Sequence, residues 1–256
     1  FELKCNAAGQ SYQDAIYQFR TDRNPKTRLF RFKAGTLVNF AMDLEEVYMT
    51  TKLDGQATFF LPFNMGNGNG VTAGAGNPVF EDKYSVSYMW EDILTKDTIL
   101  DLISKFIFVE VKEKVDEENG KVKRSENLIF PRYHQLDVIR KVLADVRENK
   151  TAQNYLIQHS AGSGKSNSIA WLAHQLIGLE KDGHPMIDSV LVVTDRRILD
   201  KQIRDNIKQF MQVKNTVVWA EHSGDLRKAI QDGKRIIVTT VEKFPYIVTE
   251  IGQEHK

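Results

Sequence analysis

Short apolar runs separated by turn residues dominate the first half of the chain. Runs at 29–32 (LFRF), 37–42 (LVNFAM) and 46–51 (EVYMTT) combine β-branched and aromatic residues and predict three strands. The preceding segment at 14–20 (DAIYQFR) has helical spacing of its apolar residues and predicts a helix. Residues 1–4 (FELK) have the character of a further strand, so the pattern predicts short strands around one early helix.

Three further patterns complete the first half. The stretch at 64–78 is rich in Gly and Asn, which favour turns and positive φ, and it predicts a loop. Apolar residues recur at helical spacing over 85–106 and predict one interrupted helix or two short ones. The alternating run at 106–130 turns at Asn119-Gly120, a dipeptide that strongly indicates a β-hairpin.

Helices and strands alternate in the second half. The runs SVLVVT at 189–194 and RIIVTT at 235–240 are short and β-rich, and helical patterns lie between them. Such alternation predicts a parallel sheet covered by helices, and therefore an α/β fold class. The apolar face of one helix consists of Leu136, Ile139, Leu143 and Val146, and that of the next consists of Ile169, Leu172, Leu176 and Ile177.

Length and composition indicate two globular domains. A chain of 256 residues exceeds one average domain, and 41% hydrophobic with 27% charged residues is ordinary soluble composition. Because the rhythm changes after the predicted hairpin, we expect a first domain at 1–125 and a second at 126–256. The first residue is Phe and lies in a predicted strand, so we expect a piece of a longer protein.

Charge and cysteine content limit the possible settings. The formal net charge is +1, so any contact with nucleic acid must come from local patches. The single cysteine, Cys5, excludes an internal disulfide, and no apolar run approaches the roughly 18 residues of a membrane span. These features predict a cytoplasmic protein without a membrane partner.

The segment around GSGKS carries the clearest chemical motif. A predicted buried strand (NYLIQ), a turn (HSAGSGKS) and a helix (NSIAWLAHQLIGL) follow one another, which is the context of a phosphate-binding loop. Backbone N–H groups at a helix N-terminus bind an anion, while Lys165 reaches the β- and γ-phosphates and Ser166 ligates Mg²⁺. His159 replaces the first Gly of the full motif. The predicted nucleotide-binding residues of the loop are Gly162, Ser163, Gly164, Lys165 and Ser166.

Hydroxyl and basic residues follow the two later strands. Ligands gather at the carboxyl ends of strands in open α/β sheets, and such side chains suit the phosphates of a nucleic-acid strand. Helix capping is the alternative role for each of them. The predicted DNA-binding residues are Thr194, Arg196, Arg197, Thr240 and Lys243.

The second half resembles the first RecA-like domain of a helicase superfamily two motor. Gln135 matches the adenine-reading Q-motif, although a solvated first helical turn is its alternative role. The segments SAGSGKS, VVTDRR and VTTVEKF match motifs I, Ia and Ib. The resemblance implies ATP and Mg²⁺ as cofactors and an acidic Walker B box after Lys256. We therefore expect these 256 residues to bind ATP without hydrolysing it.

Glu2 and Lys4 form an E-x-K pair at the start of the chain. Residues i and i+2 of a strand share a face, so the two side chains project together while Leu3 points away. A carboxylate that ligates Mg²⁺ and a lysine that orients water or stabilises charge are the minimal groups for metal-assisted phosphodiester hydrolysis. Exposed strands commonly carry such pairs, so this signal depends on its neighbourhood.

That neighbourhood resembles the endonuclease-motor (R) subunit of type I restriction enzymes along essentially the whole chain. The resemblance rests on FELK, DAIYQFRTDR, TTKLDGQATFFLPFN, GAGNP, SYMWEDIL and the motor motifs. It implies a PD-(D/E)xK nuclease core, followed by the RecA-like P-loop domain, both incomplete. The implied catalytic residues are Glu2, Lys4 and a helical glutamine, with a metal-ligating Asp on a strand before Glu2. Gln18 suits that glutamine by its placement, and Gln13 by its spacing to Tyr17, so the choice is open.

The implied function is ATP-dependent translocation of duplex DNA coupled to Mg²⁺-dependent cleavage of unmodified DNA. The implied partners are duplex DNA and the methyltransferase (M) and specificity (S) subunits. One alternative is the motor-nuclease of a type III restriction or DNA-repair system, which the nuclease-first domain order disfavours. Another is a DNA-binding translocase platform that does not cleave.

Overall fold

The computed structural model describes residues 1–68, 74–115, 120–149, 153–195, 207, 217–220 and 222–243. The fold is mixed α/β, with several small sheets. The chain divides into a first unit, Phe1–Leu136, and a second unit, Asp137–Lys256. This division lies later in the chain than the expected boundary between residues 125 and 126, which stays a prediction. None of the described helices combines the length and apolar character needed to cross a membrane.

A four-stranded mixed sheet forms the centre of the first unit. Its order is β1 (Glu2–Leu3), β2 (Asn39–Met42), β3 (Val47–Thr50) and β4 (Leu61–Pro62). β1 runs parallel to β2, and the other neighbouring pairs are antiparallel. Helix α1 (Tyr12–Thr21) connects β1 to β2, as a parallel pair requires a crossover.

Local signals explain why α1 forms where it does. The Ser11 side chain accepts a hydrogen bond from the Gln13 backbone N–H, and the Asp14 carboxylate accepts one from the Ser11 backbone N–H, which completes a capping box. Ala15 and Phe19 are fully buried and pack on one face against the sheet. The predicted helix and the predicted strands at 37–42 and 46–51 are therefore confirmed, with β2 and β3 slightly shorter than expected.

The strand predicted at 29–32 (LFRF) is wrong. These residues form successive turns, in which the Arg31 N–H bonds to the Thr27 carbonyl at 2.9 Å and the Thr36 N–H to the Leu29 carbonyl at 2.7 Å. Gly35 approaches the Leu29 carbonyl so closely that a Cβ would lie 2.0 Å from its oxygen. The chain folds tightly on itself here, and the backbone groups are satisfied within the turns rather than by a neighbouring strand.

The remaining elements of the first unit agree with their patterns. A short π-helical turn (Met89–Ile93) precedes α2 (Lys96–Lys105), so two short helical segments form rather than one. β5 (Phe108–Val115) and β6 (Val122–Ile129) pair antiparallel, which confirms the hairpin. Its residues 116–119 lie outside the described residues.

Two asparagines close the base of the predicted loop at 64–78. The Asn64 side chain accepts from the Val47 N–H at 2.7 Å, and the Asn77 side chain accepts from the Met65 N–H at 2.7 Å. Backbone bonds continue this base, since the Gly66 N–H donates to the Gly76 carbonyl at 2.9 Å. Residues 69–73 of the loop lie outside the described residues.

A parallel sheet covered by helices organises the second unit. The strand order is β10 (Val217–Trp219), β11 (Ile236–Thr240) and β9 (Val190–Thr194), and all neighbours run parallel. A separate two-stranded ribbon consists of β7 (Glu180–Lys181) and β8 (His184–Pro185). The predicted parallel α/β arrangement of these strands is confirmed.

Two helices pack on opposite faces of the central strand β11. Helix α4 (Lys165–Ile177) covers Ile236 and Val238, whereas α5 (Ser223–Gln231) covers Ile237. A further helix, α3 (Tyr133–Asn149), buries the four predicted apolar residues Leu136, Ile139, Leu143 and Val146.

Two sequence expectations in the second unit are wrong. α4 buries Ala170, Trp171, Ala173 and Ile177, whereas the predicted face residue Ile169 is 37% exposed. The predicted buried strand NYLIQ has no strand structure, and Leu156 is 92% exposed. A strand needs a hydrogen-bonding neighbour, and among the described residues none is recorded for this segment.

Candidate functional site

The side chains of Glu2 and Lys4 contact α1 or the chain that follows it. The Glu2 carboxylate contacts Arg23, directly after α1, and the Lys4 ammonium contacts Gln18 within α1. Leu3, between them, is 59% exposed. Glu2 and Lys4 thus contact residues that lie five positions apart, in α1 and after its end.

Lys4 and Gln18 form the closest pair among the predicted catalytic residues. The Lys4 Nζ donates to Gln18 Oε1 at 2.8 Å, and Lys4 as a whole is only 8% exposed. The Lys4 backbone N–H also bonds to the Met42 carbonyl at 2.9 Å, which fixes the residue beside β2. Gln13 and Tyr17, the alternative pair from the sequence, are exposed. The structure therefore brings Gln18, rather than Gln13, to Lys4.

Arg23 is a member of this site that the sequence did not indicate. Its Nε donates to Glu2 Oε1 at 2.7 Å, and its Nη2 forms an ion pair with the same oxygen. The Glu2 side chain is 17% exposed and that of Arg23 is 38% exposed. Its sequence signal was a basic residue two positions after the helix that carries Gln18.

The first-unit site can supply one ligand to a divalent cation. Mg²⁺ is commonly held by one or two carboxylates, with water and phosphate oxygens completing its shell. Glu2, in β1, is such a carboxylate and can supply one of these oxygen ligands. Within the described ranges, no cluster of three or more His, Cys, Asp or Glu residues could hold a metal.

The phosphate-binding loop has the backbone that its glycines permit. Gly162 and Gly164 have φ of 71° and 82°, the left-handed region that residues with a Cβ rarely adopt. Gly164 is the N-cap of α4, which begins at Lys165. The loop therefore ends at a helix N-terminus, where backbone N–H groups can receive an anion.

Lys165 bonds to the loop itself. Its Nζ donates to the Ser160 carbonyl at 2.8 Å and to the His159 carbonyl at 3.1 Å. Both acceptors are neutral, and Lys165 is exposed, so a phosphate could take the ammonium at little cost. Ser163 is buried and Ser166 is half-buried in the first turn of α4. These residues fit a nucleotide phosphate together with its metal ion.

His159, at the position of the missing glycine, is electrostatically linked to Lys165. Burial lowers the pKa of the His159 imidazole, and the positive charge of Lys165 lowers it further. His159 and Lys165 also border an apolar cavity of about 120 Å³ between α3 and α4. Its apolar lining consists of Val138, Ile139, Ile157, Ile169 and Leu172.

Gln135 is buried at the start of α3, within the first unit. Its Oε1 accepts from the Arg132 backbone N–H at 2.9 Å, which satisfies one N–H at the beginning of the helix. The residue is 3% exposed, so the alternative of a solvated first turn is wrong. Its contact with adenine stays a prediction.

The predicted DNA-binding residues lie at or after the ends of β9 and β11. Thr194 and Thr240 are opposite one another in the register, and both are buried. Lys243 lies in the short 3₁₀ turn Val241–Lys243. Arg196 and Arg197 lie outside the described residues. The role of this set in DNA binding stays a prediction.

Comparisons with known proteins find one matching family and similar curated relatives. Residues 134–255 match the family described as SWI2/SNF2 ATPase. A relative from Methanocaldococcus jannaschii has the provisional name of a type I restriction enzyme endonuclease subunit, MjaVIIIP, and is 31% identical over 140 residues. That alignment covers 50% of this chain and 13% of the relative.

A second relative, from Mycoplasma pneumoniae, has the provisional name of the C-terminal part of a type I restriction enzyme endonuclease subunit, MpnIIP. It is 32% identical over 120 residues, which are 44% of this chain and 55% of that protein. The chain thus aligns with about an eighth of the first relative and about half of the second. It resembles the endonuclease subunits of type I restriction enzymes, and its residues 134–255 resemble the SWI2/SNF2 ATPase family.

Proposed function

We propose that this chain is part of the R subunit of a type I restriction enzyme, which couples ATP-driven movement of duplex DNA to Mg²⁺-dependent cleavage. The observation that carries the proposal is the 2.8 Å contact between Lys4 Nζ and Gln18 Oε1 beside Glu2. Lys4 and Gln18 are separated by fourteen positions, and Arg23, whose backbone N–H bonds to the Gln18 carbonyl, contacts the Glu2 carboxylate. The second half independently resembles an ATPase.

In the first unit, three side chains have distinct roles under this proposal. Glu2 provides one oxygen ligand to Mg²⁺, which when bound would polarise the phosphodiester and activate water. Lys4 orients the attacking water or stabilises the charge that develops on the phosphate. Gln18 holds the Lys4 ammonium in place through its amide oxygen. We place this part, residues 1–125, in a PD-(D/E)xK nuclease core.

In the second half of the chain, the loop binds the nucleotide phosphates. Lys165 leaves the Ser160 and His159 carbonyls for the β- and γ-phosphates, and the Ser166 hydroxyl ligates Mg²⁺. Gln135 contacts adenine. Thr194, Arg196, Arg197, Thr240 and Lys243 contact the DNA backbone. We place residues 126–256 in the first RecA-like domain of the motor.

The proposal is tested by cleavage of circular duplex DNA by the complete subunit with its M and S partners. Glu2→Ala should abolish cleavage and preserve ATP hydrolysis, whereas Lys165→Ala should abolish both. Exposed Glu45→Ala and Lys181→Ala are matched controls and should behave as wild type. Cleavage that does not require ATP and that persists in Lys165→Ala would contradict the coupling.

A second candidate is a translocase platform that binds DNA without cutting it. The observation that favours it is the ion pair between Arg23 and Glu2, which occupies the expected metal ligand. In the same assay this candidate predicts ATP hydrolysis without cleavage, and no change of any activity in Glu2→Ala.

A further inference from the structure

Arg23 is a cation placed at the carboxylate where the proposed nuclease function requires another cation. Both of its recorded donors, Nε at 2.7 Å and Nη2, reach the same oxygen of Glu2. A metal ion that takes this oxygen must displace the guanidinium or share the carboxylate with it. A displaced guanidinium would then need another anionic partner.

We propose that Arg23 is a DNA-binding residue, which exchanges Glu2 for a backbone phosphate when a divalent cation occupies the carboxylate. This inference rests on the proposed nuclease function of Glu2. It adds to that function a residue that contacts the substrate strand and that keeps Glu2 paired before the cation arrives.

The local charge balance supports this exchange. Glu2 contributes one negative charge, whereas Lys4 and Arg23 contribute two positive charges. A divalent cation would add two more, so these three described side chains and the cation together would carry a net positive charge. Phosphodiester groups of a DNA strand carry the negative charge that offsets this excess.

The position of Arg23 allows it to move while Lys4 stays. Arg23 follows the end of α1, and its backbone N–H bonds to the Gln18 carbonyl at 3.2 Å, which anchors it beside the Lys4–Gln18 pair. Its side chain is 38% exposed, whereas Lys4 is 8% exposed and bound to Gln18. Arg23 can therefore rotate towards solvent from a fixed backbone.

The guanidinium is also suited to the proposed ligand. Its planar set of N–H donors matches two oxygens of a phosphate, and it is more weakly hydrated than an ammonium group. The two donors that now converge on Glu2 Oε1 would serve phosphate oxygens equally well. We therefore expect Lys at this position to retain the charge but not the full affinity.

The first test measures Mn²⁺ binding to the complete subunit by titration calorimetry, without DNA or nucleotide. Arg23→Gln removes the competing cation and should tighten Mn²⁺ binding about two- to fivefold, as expected for a partly exposed ion pair. Arg23→Lys should lie between Arg23→Gln and wild type. Exposed Arg28→Gln is the matched control and should bind as wild type. Unchanged or weaker Mn²⁺ binding in Arg23→Gln overturns the exchange.

The second test measures duplex DNA binding in Ca²⁺, over a range of salt concentrations, in the Lys165→Ala background. Arg23→Gln should weaken binding roughly tenfold, as expected for the loss of charge-assisted hydrogen bonds. The dependence of log affinity on log salt should fall by about one. Affinity and salt dependence equal to those of Arg28→Gln would overturn the phosphate contact.

Glu2→Gln separates failure of this inference from failure of the proposed function. If Glu2→Gln leaves Mn²⁺ binding and cleavage unchanged, Glu2 is not a metal ligand and the proposed nuclease function fails. If Glu2→Gln removes both but Arg23→Gln alters neither Mn²⁺ nor DNA affinity, the nuclease function stands and the role of Arg23 is overturned. In metal-free buffer Glu2→Gln should release Arg23 and tighten DNA binding, and Arg23→Gln should cancel that gain.

Discussion

Burial makes Lys4 dependent on its amide partner. An ammonium group that loses water must be compensated by hydrogen bonds, and Gln18 Oε1 provides the recorded side-chain acceptor. Without it, the Lys4 chain would seek water or another oxygen, and its nitrogen would leave the position beside Glu2. Gln18 is thus a positioning residue for Lys4 in the proposed reaction.

We expect Gln18→Ala to lower DNA cleavage by about 10- to 100-fold, as is typical of residues that orient a catalytic group. ATP hydrolysis should be unchanged, since the motor motifs lie elsewhere in the sequence. Gln13→Ala alters an exposed glutamine of the same helix and should cleave as wild type. Loss of cleavage in Gln13→Ala, with normal cleavage in Gln18→Ala, would contradict this choice of helix face.

The sequence could name the residue types at this site but not all their pairings. Gln13 and Gln18 are about 140° apart around a helix, so only one can face β1. The buried Ala15 and Phe19 define which side docks, and Gln18 borders that side. Arg23 meets Glu2 across twenty-one positions, and that meeting depends on how α1 rests on the sheet. No local pattern encodes it.

At the scale of elements, a local turn signal succeeded, whereas two apolar runs with strand-like composition failed. Asn119-Gly120 predicts the β5–β6 hairpin, because this turn signal acts within a few residues. The apolar runs LFRF and NYLIQ have strand-like composition, yet a strand also needs a hydrogen-bonding partner. Turns satisfy the backbone hydrogen bonds of LFRF, and among the described residues NYLIQ has no partner strand.

The junction of the phosphate loop with α4 provides a direct test of backbone geometry. Gly162 has a φ of 71°, and nothing lies within 4 Å of where its Cβ would be. Gly162→Ala therefore costs conformational strain rather than a clash, about 1–2 kcal/mol. We expect a matching loss of stability in urea unfolding, and weaker binding of an ATP analogue.

Gly178, at the other end of α4, is the matched control. It has a φ of −80°, and an added Cβ would lie at an ordinary 3.6 Å from the Gln175 carbonyl oxygen. Gly178→Ala should retain analogue binding and stabilise the protein by about 0.4–1 kcal/mol. Equal losses in both variants would show that the left-handed backbone at Gly162 is not the cause.

At the scale of the whole molecule, we expect nucleotide to stabilise the second unit selectively. A non-hydrolysable ATP analogue with Mg²⁺ at a hundred times its Kd adds about 2.7 kcal/mol to the state that binds it. In the complete subunit, hydrogen exchange should slow in α4 and at the phosphate loop, and Lys165→Ala should remove the effect. Exchange in α1 should be unchanged, and equal slowing there would contradict selective stabilisation.

Composition and periodicity indicated two globular parts and a parallel sheet in the second, because both follow from repeated local patterns. The order β10-β11-β9 did not follow from them, since strands are neighbours by packing and not by sequence. Similarly, the division at Leu136 falls inside the continuous helix α3, where no break in the pattern marks it.

The asparagine-closed base of the loop at 64–78 has a practical use. Asn64 and Asn77 bind the backbone at its two ends, and the Gly66–Gly76 bond holds the chain together above them. These hydrogen bonds hold the two ends of the loop beside β3, so the strand should tolerate changes in the length and composition of the chain beyond Gly66. An affinity tag or a fluorophore attachment sequence inserted after Gly68 should leave the sheet intact, which offers a way to immobilise or label the first unit from within.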